Sequence, residues 1–203
     1  MKSARALRGG TVVCGWLPAV LCAAMVSAAA GGCGLFEPRD PEPPSEGRLG
    51  FEPPLTREIV IANLQTAVSQ KDLANYMRCL NNPSASPLGF TFIPSVNVRN
   101  EFLTWGWADE EAYFRNLVGS AQAGELPALS LPNPRWQQSG SDSAEFFADY
   151  VLTFRHTRPG LPQVVRGTMQ LYLFNDQSSW RIIRWVDDRT DSDSTWSLLK
   201  RNF

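Results

Sequence analysis

Three stretches in the last third of the chain limit its fold more than any other feature: EFFADYVLTFRH (145–156), VVRGTMQLYLFN (164–175) and SWRIIRWVDD (179–188). All are rich in β-branched and aromatic residues, and the turn-forming TRPGLPQ and NDQSS separate them. The pattern predicts three long antiparallel strands. In the first, Phe146, Ala148, Tyr150, Leu152 and Phe154 alternate with Phe147, Asp149, Val151, Thr153 and Arg155. In the second, Val165, Gly167, Met169, Leu171 and Leu173 oppose Arg166, Thr168, Gln170 and Tyr172. Each strand thus has one apolar and one mixed face, and the apolar face needs a cover of helices.

That cover is legible upstream. In LTREIVIANLQTAVSQ, Thr56 is a good N-cap, and Leu55 is placed to staple onto Val60. Val60, Leu64, Ala67 and Val68, with Ile61 beside them, form a helical stripe. Asp72 can cap a second, short helix whose Tyr76, Met77 and Leu80 face inward, with Cys79 packing as a small apolar side chain. NNPSASPLG reads as a loop and FTFIP as a short strand. TWGWADEEAYFRNLVG predicts a third helix, acidic in its first turn and packing through Tyr113, Phe114, Leu117 and Val118, with Gly119 at its end. LPALSLPNPRWQQSGS, with three prolines, predicts an irregular or edge strand. DSTWSLLKRNF closes the chain as a helical turn or a loop that docks Trp196 and Leu199.

This order of elements, together with EIVIANLQTAVSQKDLANYMRC, EEAYFRNL and SWRIIRWVDDR, resembles the nuclear-transport-factor-2-like superfamily of cystatin-like, polyketide-cyclase-like cones, from Leu55 to about Asp188. The resemblance implies an α+β fold with N-terminal helices packed on a curved, mainly antiparallel sheet. The superfamily includes ketosteroid isomerases, polyketide cyclases, dehydratases and many pockets without a known reaction, so the fold alone does not choose an activity. It also implies homodimer formation through the open sheet face. In a pocket of this kind the candidates to touch a small apolar ligand are Tyr76, Phe147, Arg166 and Trp185.

The N-terminus concerns location. Lys2, Arg5 and Arg8 precede an uncharged run from Thr11 to Ala29, and small residues follow, as in an export signal. The run is also close to the ~20 residues that span a bilayer, so an uncleaved anchor is the other reading. Ala30-Gly31-Gly32-Cys33 resembles the lipobox of bacterial lipoproteins, in which the cysteine is lipidated and becomes the first residue of the mature chain. Ala30 departs from the leucine commonest at that position. Gly34 is not the Asp that favours inner-membrane retention in enteric bacteria, so the resemblance implies an outer-membrane protein facing the periplasm. The alternative for Cys33 is a disulfide with Cys79, which an oxidising compartment permits. From Gly34 to Pro54 there are six prolines and five acids, an extended tether of roughly 60 Å at ~3.1 Å per residue. The expected organisation is a signal over 1–32, Cys33 and tether over 33–54, and a cone domain over 55–203.

Removing Lys2, Arg5 and Arg8 from the 19 basic residues leaves 16 against 20 acidic ones, a balance unsuited to nucleic acid. Asp149 is the candidate catalytic acid: on the mixed face it could act as a base toward an acidic C–H, or form a salt bridge to Arg166 or Arg184. His156, the single histidine, is expected to be solvated at a strand end. DDRTDSDS reads as an acidic solvated turn, lacking the glycine of a calcium loop. Trp105 and Trp107 line a pocket, touch a partner or staple the core. The sequence carries no glycine-rich phosphate loop, nucleophile elbow or HExxH, and no cofactor or metal is expected. It points to a lipid-anchored, exported envelope protein whose cone binds a ligand or a protein partner without catalysis. The alternative is an isomerase, dehydratase or cyclase with an acid in the cone.

Overall fold

Alternation in the last third sets the architecture. In the computed structural model, which describes residues 50–176 and 179–203, β4 (Ser143–Thr153), β5 (Val164–Asp176) and β6 (Ser179–Asp188) are long antiparallel neighbours. Cys33, the predicted signal and most of the predicted tether lie outside the described residues. The predicted apolar faces point inward, from Phe146 to Leu152 on β4, with Phe154 just past its end, and from Val165 to Leu173 on β5. Strand β6 breaks the pattern. Tyr172 pairs with Arg184 but Leu173 with Ile182, so Ile183 is bulged out and Ile182 and Trp185 both reach the core at 0% exposure.

The short β1 (Thr91–Ile93) adds to β6 in parallel, and Cys79 and Asn81 bond to both backbone groups of Ile182 just beside it. On the other side, the proline-rich stretch forms two strands, β2 (Ala128–Ser130) and β3 (Arg135–Gln138), that pair with opposite ends of β4. The order is β1-β6-β5-β4-β2, with β3 also on β4. The sheet is therefore mixed, though mainly antiparallel.

Helices α1 (Arg57–Ser69), α2 (Leu73–Arg78) and α3 (Trp107–Gly119), a 3-10 turn (Val96–Glu101) and a last helix, α4 (Trp196–Asn202), cover the apolar face. Thr56 and Asp72 cap as expected, accepting from Ile59 N at 3.5 Å and Asn75 N at 3.0 Å. The Leu55 staple does not form: Leu55 is 65% exposed while Val60 is fully buried, because Pro53 and Pro54 carry the chain along another line. Pro54 O accepts from Trp180 N, Glu52 exchanges two bonds with the Asn63 side chain, and Arg78 lies 3.8 Å over the Phe51 ring. Domain contacts thus begin before Leu55, within the end of the expected tether. Among the described residues no helix is long and apolar enough to cross a membrane.

Candidate functional site

The interior of the cone holds charge. Glu110, Tyr113, Phe114 and Leu117 occupy one stripe of α3, and Trp196, Leu199 and Lys200 one stripe of α4, so both helices turn a charged residue inward with their apolar ones. Asp109 stays outside and accepts from Gly106 N, starting α3. Glu110 and Lys200 meet fully buried, with Nζ 2.6 Å from each carboxylate oxygen. Tyr76 donates to Oε1 at 2.5 Å and Trp105 Nε1 to Oε2 at 2.8 Å. Three rings surround the ammonium, with centroids 3.8 Å (Phe92), 4.2 Å (Trp185) and 5.5 Å (Tyr113) from Nζ. Burial lowers the Lys200 pKa, opposed by the attraction of Glu110 and Asp187.

A second polar cluster fastens α4. Asp187 Oδ1 accepts from Tyr150 Oη at 2.7 Å, and Oδ2 accepts from Ser197 N at 2.7 Å and from the Ser197 hydroxyl. Tyr150 Oη in turn accepts from Trp196 N at 2.6 Å, and Trp196 Nε1 donates to Tyr113 Oη at 2.7 Å. Gly167, opposite Tyr150 on β5, gives that side chain its room: a Cβ there would lie 2.8 Å from Tyr150 Oη and 2.4 Å from Asp188 O. Burial raises the Asp187 pKa, against its hydrogen bonds to Ser197 and Tyr150. Desolvation first, then nearby carboxylates, hold Tyr76, Tyr113 and Tyr150 well above the ordinary phenol value.

The residues singled out from sequence fall in separate places. Tyr76 and Trp185 are interior side chains at 0% exposure, brought together around Glu110 and Lys200 rather than forming the walls of an open cavity. Phe147 and Asp149 lie on the outer sheet face, lining a groove of about 340 Å³ with Asn133, Arg135 and Thr168. Asp149 accepts from Asn133 Nδ2 at 2.7 Å, and its strand partner is Thr168, not an arginine. Arg166 is exposed beside Ser192 and Ser194 in a neighbouring groove of about 290 Å³.

Two expectations are corrected. His156 is not solvated: it is 1% exposed, with Nε2 donating to Pro162 O at 3.2 Å and its ring against Phe203, because the turn folds back over it. Asp187 leaves the supposed solvated turn for the core, since it follows Trp185 by two on the inward face of β6. Glu110 stands in the first turn of α3, where acids were expected, and is buried. Trp105 packs half-buried on the core, and Trp107 does likewise. Cys79 is a buried free thiol. Sequence reasoning missed Glu110, Lys200 and Asp187 as site residues, although each stands at an apolar position of its own helical or strand period.

No family model and no curated protein matches the chain. Solved structures do. A candidate aromatic ring hydroxylase from Novosphingobium aromaticivorans aligns with a TM-score of 0.55 at 15% identity, covering 74% of this chain and 98% of that one. A nuclear transport factor 2-like superfamily protein from Salmonella enterica serovar Typhimurium gives 0.52 at 17% identity, covering 68% and 93%. A candidate scytalone dehydratase from Novosphingobium aromaticivorans gives 0.53 at 10% identity, covering 68% and 83%. The domain has the nuclear-transport-factor-2-like cone fold, and at these identities the likeness is one of fold alone.

Proposed function

We propose that the chain is an exported, lipid-anchored envelope protein whose cone is a non-catalytic binding domain. One observation carries the non-catalytic half: the space between sheet and helices is occupied by the chain's own Trp185, Trp196, Tyr113, Phe114 and the Glu110–Lys200 pair, all at most 1% exposed. A reaction chamber needs room for its substrate and convergent groups around it. Asp149, the acid offered for chemistry, lies on the outer face with Asn133 as its partner. Partner binding then falls to the open sheet face, where Phe147, Tyr172, Arg135, Arg166 and Arg184 supply the aromatic and arginine side chains that interfaces favour.

The anchoring half rests on Ala30-Gly31-Gly32-Cys33 after its uncharged run, with the outer membrane as the expected destination. Mass spectrometry of the mature N-terminus in the native host, with fractionation of Cys33→Ser, tests it. The expected result is a lipid-modified Cys33 in the unaltered protein and a Ser variant that is unprocessed at that site. A Ser variant processed and membrane-bound like the parent sinks the lipoprotein reading.

A further inference from the structure

We propose that the interior of the cone is a binding site for a primary alkylammonium group, occupied in cis by Lys200 of α4. The site is built on both sides of the cation. Its carboxylate is held in place by groups other than the cation: Tyr76 and Trp105 each donate to one Glu110 oxygen, and both donors remain when Lys200 is removed. Its apolar wall is the ring set of Phe92, Trp185 and Tyr113, with the negative faces that attract a desolvated ammonium. Packing alone would be served as well by an apolar side chain, because a buried ion pair seldom outdoes well-packed hydrophobic residues of similar volume. The lysine is instead matched group by group, with two oxygens at 2.6 Å and rings on its other sides. The ligand class follows from depth. The charged atom lies at the end of a four-methylene stem, so the site takes an aliphatic amine of that reach, such as a lysine side chain or the end of a polyamine.

Cis occupancy makes α4 the gate. A free amine competes with a tethered one whose effective concentration is high, so it enters only as α4 leaves. This deepens the reading of the cone as a binding domain, and its test is independent of the fate of Cys33.

In the full-length Lys200→Ala chain, n-propylammonium replaces the atoms removed. Thermal melts should rise by about 4 °C at roughly tenfold excess over Kd. The unaltered chain, the Lys200→Ala/Glu110→Gln chain, and Lys200→Ala with the neutral n-propanol should show no such rise. No rise in Lys200→Ala, or an equal rise with n-propanol or in the unaltered chain, overturns the proposal. Should Lys200→Ala fail to fold, nitrogen-15 NMR of lysine in the unaltered chain decides. A slowly exchanging Lys200 ammonium with ring-shifted ε protons supports the cage, and a neutral amine or unshifted protons overturns it.

Discussion

Cys79 is a small side chain with a measurable consequence. It is 1% exposed, its thiol donates to Asn75 O at 3.3 Å, and burial pushes its pKa up to about 12 from an ordinary 9.0. Between those values the unfolded chain releases a proton that the folded chain keeps, so stability falls as pH rises through that window. The limiting slope is about 1.4 kcal/mol per pH unit for one group. Buried Tyr76, Tyr113 and Tyr150 act in the same direction above their own ordinary value, whereas Lys200, with its lowered pKa, acts in the opposite one. Urea unfolding at pH 8, 9 and 10 should therefore show a shallower loss of stability in Cys79→Ala than in the parent; parallel curves would show that the thiol is not held neutral. Its burial was legible from its helical position. Glu110, Lys200, Asp187 and His156 were not, since a charged or polar residue on an apolar stripe is read as solvated until the group that meets it is known. Glu110 and Lys200 are ninety residues apart in sequence, and no local period brings them together.

Among the elements, the last helix depends most on a few side chains. Seven residues are too few for a helix to persist alone, so α4 relies on its docking. Tyr150 Oη serves Asp187 and Trp196 N at once, and Tyr150→Phe removes both bonds. Of the two, the neutral bond from Trp196 N ties α4 to the sheet, and at about 1 kcal/mol for such a bond amide exchange over Trp196–Asn202 should quicken about fivefold while the centre of β4 keeps its rates. If the whole domain quickens equally, α4 does not open as a unit of its own. Elements with an unbroken period, α1, α3, β4 and β5, were readable from sequence. The bulge at Ile183 was not, because it changes which residues face inward partway along β6 without any glycine or proline to mark it. The division of the proline-rich segment into β2 and β3 also escaped, since it depends on having β4 alongside.

For the whole molecule, the open sheet face predicts self-association. Sedimentation of the domain at micromolar concentration should give twice the monomer mass, reverting to one in a Phe147→Glu/Tyr172→Glu variant, because like charges across a two-fold face repel. A parent that sediments as a monomer ends that reading. The same sheet closes another route. One of its margins is three residues of β1; the other is split between β2 and β3, where Asn133 takes a φ of 55° between Pro132 and Pro134, and Asp149 N is already bonded to Pro132 O. Neither margin offers the long row of free amides and carbonyls that a foreign strand needs as a template. Strand donation and runaway cross-β stacking are thereby discouraged, and a protein partner of the sheet must meet it flat on.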